Sequence, residues 1–203
     1  QFLLFYLLKR KYSIKYLKRL YSTYLMISKI KHLILELCKN QGWPWKSHIE
    51  SVVKHSKELA KKLGADEEVC EISAWLHDIK KLKGEKENHH IHGSEEAEKI
   101  LKELNFNEDK IKQIKHCILT HSSDKTYPPK SKEAKILASA DALSHFDDFL
   151  TFTYHVYKIR NMSLSGGRNK LINKYNTAWN KLMPEAKEMV REKYKAIKLI
   201  LNV

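Results

Sequence analysis

From Met26 onward, apolar residues return every three to four positions. Ile27, Ile30, Leu33, Ile34 and Leu37 make the first such stripe, a spacing that lines one face of an α-helix. QGWPW interrupts it, and a second helix is predicted from about Ser47 to Leu63. Gly64 closes that helix, being suited to the left-handed conformation of a C-cap. Asp66, Glu67 and Glu68 then place negative charge where the dipole of a third helix favours it, and Val69, Ile72, Leu76 and Ile79 share its face. KKLKGEKENHHIHG reads as a loop. Ser94 with Glu95 and Glu96 opens a fourth helix to about Leu104, and Asn107, Glu108 and Asp109 open a fifth to about His121. After the loop SSDKTYPPKS a long helix is predicted from about Lys132 to about Tyr157. NMSLSGGRN breaks the chain again, and two closing helices, about 169–182 and 185–201, are divided by Pro184, which suits a first helical turn. No segment alternates with period two. The pattern predicts an all-α fold, a bundle of about seven to eight helices.

Composition agrees. Six Gly and four Pro in 203 residues give few tight turns, which argues against many short strands. Three cysteines, odd in number and without a CxxC pair, point to a reduced protein and a cytoplasmic location. No apolar run reaches the roughly 18–20 residues that span a bilayer. The net charge of +14 is unevenly placed. Residues 1–25 hold six basic and no acidic side chains, and residues 151–203 hold eleven against three, while the stretch between is balanced. Such flanks favour an anionic partner, whether small nucleotide, nucleic acid or lipid headgroup. The first 25 residues mix aromatics, leucines and basic residues. They read either as an amphipathic surface helix or as a segment preceding the natural start at Met26.

Three places carry candidate chemistry. In AWLHDIKK, His77 and Asp78 adjoin near the end of an apolar helix, and an imidazole beside a carboxylate is a start on a divalent-metal site. Helix neighbours point about 100° apart, so both reach one point only where the helix meets a cleft. In AKILASADALSHF, Asp141 interrupts a small, apolar face, where a carboxylate is costly unless paired or bound to a cation. His48 opens the second helix. SGGRNK at 165–170 is a glycine-containing loop that either holds a phosphate on its amides, with Arg168 and Lys170 beside it, or merely connects.

His48, then LHD at His77 and Asp78, then AD at Asp141, resemble in order and surroundings the HD-domain superfamily of metal-dependent phosphohydrolases. The likeness runs through WKSHIESVVKHSKELAKKLGADEEVCEISAWLHDIKK, HHIHGSEEAEKIL, IKHCILTH and SKEAKILASADAL, over about residues 44–150. It implies an all-helical domain in which His48, His77, Asp78 and Asp141 bind one divalent ion, of manganese, iron, cobalt, nickel or zinc. For a second ion or the substrate it implies His90, with His89 and His92 as register alternatives, and His121; Asp78 would then bridge the two ions. Asp78 and Lys81 are the expected catalytic residues, with Lys80, Arg168 and Lys170 as phosphate-binding candidates. His145 would support Asp141 from one turn away. The implied reaction is hydrolysis of a phosphate ester or anhydride of a nucleotide-like substrate. An RNA-end or cyclic-phosphate phosphodiesterase and a non-catalytic nucleotide sensor are the alternatives. HDIKK departs from the common HDIGK, and the HDxxE and HDxxED patterns of two branches are absent. The expected division is an extension over 1–25, the phosphohydrolase domain over 26–160, and a helical pair over 161–203 packing on it.

Overall fold

The computed structural model describes residues 13–39, 41, 43–124 and 126–202, and every structural statement below concerns those. They form α1 (Ile14–Leu37), α2 (Trp45–Leu63), α3 (Glu67–Leu76), the single turn α4 (Ile79–Leu82), α5 (His89–Glu103), α6 (Glu108–Thr120) and α7 (Lys132–Asp147). There follow α8 (Phe149–Tyr154), a π-helical turn (His155–Ile159), α9 (Leu164–Lys181) and α10 (Pro184–Ile200). Eight of these helices have ten or more residues, and no strand is present among the described residues. Residues 1–12 of the basic extension lie outside the described residues. α1 passes through Met26 without a break. None of the described helices is long and apolar enough to cross a membrane.

Local chemistry sets the helix ends. Gly64 closes α2 in the left-handed region, at φ 60° and ψ 44°. Asp66 accepts from the Val69 amide at 3.1 Å, Asn107 from the amides of Asp109 and Lys110, and Ser131 from that of Ala134. Each satisfies a first-turn N–H that has no partner inside its own helix.

α7 is the axis of the molecule and packs against α2, α3, α6, α9 and α10. It is buried nearly all round, with alanine and serine letting neighbours approach. Ala134, Leu137 and Ala140 join a core with Ile34, Ile49, Ile72 and Ile118. Ile136, Leu143 and Phe146 join a second core with Tyr175, Val190 and Ile197. Ala140 belongs to the first and Ala142 to the second, so Asp141 falls on the seam. The C-terminal helices are tied to α7 by the Tyr175 hydroxyl, which donates to His145 O at 3.1 Å, and by the Met183 amide, which donates to Ser139 Oγ at 3.0 Å. Trp179 stacks on Tyr194 with centroids 4.3 Å apart. All three cysteines are free thiols.

Boundaries differ from the sequence expectation at several points, among them the end of α3 at Leu76, short of Ile79. α5 begins at His89 rather than Ser94. Asn88 takes φ 50° and its carbonyl accepts from the amides of Ile91 and His92, a start that the polar run HHIHG conceals. The long helix expected to Tyr157 divides at Asp148 (φ −123°, ψ 41°), where no glycine or proline marks the break. SGGR is the first turn of α9, capped by Ser163 Oγ accepting from Gly166 N at 3.2 Å. Gly167 is needed there because a Cβ would collide with ring carbons of Tyr157.

Candidate metal centre

The chain leaves helical geometry where the cluster begins. α3 ends at Leu76, and Asp78 takes φ −110° and ψ 19° before α4 starts. That break lets adjacent side chains converge, with His77 Nε2 3.5 Å from Asp78 Oδ2. The first turn of α2 brings His48 Nε2 to 3.6 Å from the same oxygen and 3.7 Å from Asp141 Oδ1. α7 supplies Asp141, whose Oδ1 lies 3.9 Å from His77 Nε2. On the other side, Asp78 Oδ1 faces His121 Nε2 at 3.4 Å and His89 Nε2 at 3.6 Å. The four residues read from LHD, AD and His48 are thus together, with two imidazoles beyond them.

Backbone carbonyls orient the rings. His77, His121 and His89 direct Nδ1 at Ala74 O (2.8 Å), Ile118 O (2.6 Å) and Lys86 O (3.0 Å). A ring that donates from Nδ1 presents Nε2 as a lone pair. His77 and His89 carry that Nε2 buried and without a hydrogen-bond partner. Buried polar atoms are normally satisfied, so such orphans beside a carboxylate fit a cation between them. Donor atoms on one transition-metal ion lie about 3–3.5 Å apart, close to the observed separations. The mixed nitrogen and oxygen set suits a first-row transition metal better than calcium. Three groups have this character: His48, His77 and Asp78; Asp78, His89 and His121; and His48, Asp141 and His145.

Lysines face both carboxylates. Lys81 Nζ lies 2.9 and 3.1 Å from the oxygens of Asp78, and Lys181 Nζ 2.6 Å from Asp141 Oδ2. Burial opposes ionisation of Asp78, but the Lys81 ammonium and then the imidazoles beside it outweigh that cost. Its carboxyl is held well below the usual range. Asp141 is likewise lowered against the cost of burial, by Lys181 and then His145, His77 and His48. Burial pushes His89 and His121 down to about 4, which keeps both rings neutral. Lys174, half-buried at the rim, is lowered to about 8 by partial desolvation and sits 2.7 Å from His145 Nε2. The cluster floors a cleft of about 330 Å³, walled by Trp45, Lys81, Lys174 and Lys181.

Several expected residues stand elsewhere. His90 is turned away from Asp78: its Nε2 is 3.4 Å from Asp124 Oδ2, and its ring lies against Tyr127. The alternative His89 faces Asp78 instead, since consecutive helical residues diverge by about 100°. His92 pairs with Glu85. Lys80 lies near Glu85 and Glu96 (3.4 and 3.8 Å) and lines no cleft beside the cluster. Arg168 donates from Nε to Leu201 O (2.6 Å) and from Nη2 to Asn202 O (2.8 Å), closing the end of α10. Lys170 lines a second, wider cleft. Sequence reasoning passed over Lys174 and Lys181; their seven-residue spacing, with Ala178 between, puts them on one helical face and was the available signal.

Residues 46–145 match the family model of the HD domain, which places that part of the chain in the HD-domain superfamily. A predicted HD superfamily hydrolase from an uncultured Thermotogales bacterium is 23% identical, with 81% of this chain and 91% of that chain covered and a TM-score of 0.55. The YpgQ protein of Bacillus subtilis is 16% identical over 89% of this chain and 93% of its own, with a TM-score of 0.71. An HD-superfamily hydrolase of Bacillus thuringiensis is 19% identical over 89% and 95%, with a TM-score of 0.65. At these identities the likeness concerns the fold. No curated protein matches the chain.

Proposed function

We propose that the protein is a metal-dependent phosphohydrolase acting on a phosphate ester or anhydride of a nucleotide-like substrate. The observation that carries the reading is the convergence of His48, His77, Asp78 and Asp141 at one point, with the orphaned Nε2 of His77 aimed at it. These four residues would hold a divalent transition-metal ion, and His89 and His121 a second, with Asp78 shared. The chemistry such an ion supplies is to lower the pKa of water towards neutrality and to draw charge from phosphoryl oxygens.

The remaining parts belong to the chain. Backbone carbonyls fix the tautomers, so the rings offer lone pairs without reorganising. The lowered carboxyls of Asp78 and Asp141 keep both anions available well into the acid range. Lys81 and Lys181, each against one carboxylate, are placed to meet the negative charge of a phosphoryl group, and Lys174 adds a third positive group at the rim. Trp45 adds an aromatic wall to the same cleft.

The test is metal analysis of the purified protein, combined with phosphomonoester, phosphodiester and phosphoanhydride substrates at saturating manganese. Hydrolysis of one class with at least one bound ion per chain is expected. A protein that takes up no metal and cleaves none of them sinks the reading.

A further inference from the structure

The outward face of α1 takes no part in the metal cluster. Inward, the helix is anchored. Ile30 and Ile34 are buried, Met26, Ile27, Leu35 and Leu37 pack on the first core, and Thr23 Oγ1 donates to Glu68 Oε1 at 2.9 Å. Outward, Tyr21 and Tyr24 are 64% and 68% exposed, and Leu25 and Leu33 are exposed along the same helix. Positions 18, 21, 25, 29 and 33 recur every three or four residues and so share one face. From Tyr21 to Leu33 that stripe runs about 18 Å. Apolar side chains exposed in a row mark an interaction site, where scattered ones do not.

Charge along the helix is one-sided. Lys15, Lys18, Arg19, Lys29 and Lys31 lie in it, and the first acidic residue of the chain is Glu36, which pairs with Lys39 at 2.7 Å. Glu68, the acidic group that reaches α1 at Thr23, is shared with Lys110. These charges select the occupant. A second copy docked face to face would set the cations against their own images, because a two-fold contact pairs a patch with itself. A nucleic acid would meet the cations and leave Leu25 and Leu33 without an apolar partner. An anionic bilayer surface serves both, since phosphate headgroups take the cations while tyrosine and leucine settle at the acyl boundary. We propose that α1 is a membrane-surface helix whose outward face, from Tyr21 to Leu33, lies on an anionic lipid bilayer. The contact is peripheral, as none of the described helices is long and apolar enough to cross a membrane. It uses no residue of the metal cluster and stands apart from the phosphohydrolase reading.

Flotation of the full chain with lipid vesicles tests it, using phosphatidylcholine alone and phosphatidylcholine with about one-third phosphatidylglycerol. Binding to the anionic vesicles is expected to be at least about tenfold tighter than to the neutral ones and to weaken steeply between about 0.05 and 0.5 M salt. The triple change Tyr21→Ser, Tyr24→Ser and Leu25→Ser should lower it about tenfold or more. Lys18→Gln with Lys29→Gln should lower it by a similar factor. Lys195→Gln with Lys198→Gln removes the same charge from α10, which packs on the second core, and should cost less than about twofold. Tyr21, Tyr24 and Leu25 are exposed, so circular dichroism of the triple variant should match the parent. Should that variant unfold, the lysine pair on α1 still reads the claim. Equal affinity for the two vesicle types overturns the proposal. So does an equal loss in the α10 variant, which would reduce the attraction to net charge. Sedimentation velocity showing a dimer that the triple change dissolves, without vesicle binding, overturns it in favour of a second copy. A single-stranded RNA octamer bound more tightly than the vesicles, with the same dependence on the α1 variants, overturns it in favour of nucleic acid.

Discussion

Asp78 touches more of the cluster than any other side chain: one oxygen faces His48 and His77, the other His89 and His121, and Lys81 sits against both. Replacing it with asparagine keeps the shape and removes the charge that draws these groups together. Asp78→Asn is expected to lose bound manganese and to lower hydrolysis by at least about a hundredfold, with helix content unchanged. Elemental analysis with circular dichroism checks this, and full metal content in the variant contradicts it. The adjacent histidines of α5 give a sharper comparison. His89 is in reach of Asp78 while His90 is turned to Asp124. His89→Ala should therefore lower the metal-to-chain ratio, and His90→Ala should leave it near the wild-type value. Equal losses in the two variants would show that the ring orientations assigned to α5 are wrong.

At the level of elements, the chain announces most of its helices, and the exceptions have physical causes. Asp66, Asn107 and Pro184 are legible because capping and first-turn preferences act locally. The start of α5 and the division at Asp148 are not, because a left-handed asparagine and tertiary hydrogen bonds to Asp147 set them. The His and Asp cluster was legible only through the order of motifs that resembles the HD-domain superfamily, and the choice between His89 and His90 depends on the register of a helix whose start is hidden. Lys174 and Lys181 reach the cluster only through the docking of α9 on α7, a long-range contact that no local pattern records. SGGR misled in the other direction, since its glycine answers to packing: Gly167 lies under the Tyr157 ring. Gly167→Ala is expected to destabilise the fold by about 1–3 kcal/mol, as overpacking does. Urea unfolding measures it, and a shift below about 0.5 kcal/mol would mean that the ring moves aside freely.

Across the whole molecule, helices distant in sequence are held around α7 by polar clasps as well as by the two cores. The clearest is at Asp147, which accepts from Ser51 Oγ at 2.9 Å, pairs with His55 Nε2 at 2.6 Å and accepts from Lys193 Nζ at 2.7 Å. It so joins α2, α7 and α10. Partial burial resists its charge, but the hydrogen bonds from His55, Lys193 and Ser51 outweigh that and hold the carboxyl below its ordinary value. A carboxyl depressed in the folded state adds stability that is complete above its unfolded pKa of about 3.9 and disappears as pH falls through the folded value. The Asp147 side chain is 31% exposed, so water screens the clasp and its contribution is about 1 kcal/mol. Asp147→Asn should thus unfold in less urea than the wild type by a margin that stays level from about pH 7 to 5. Below about pH 4 the margin should shrink, because the wild-type carboxyl is then being protonated towards the neutral state that the variant already has. A difference that grows on acidification would mean that the carboxylate is strained by its neighbours and that the fold tolerates the charge for some other reason.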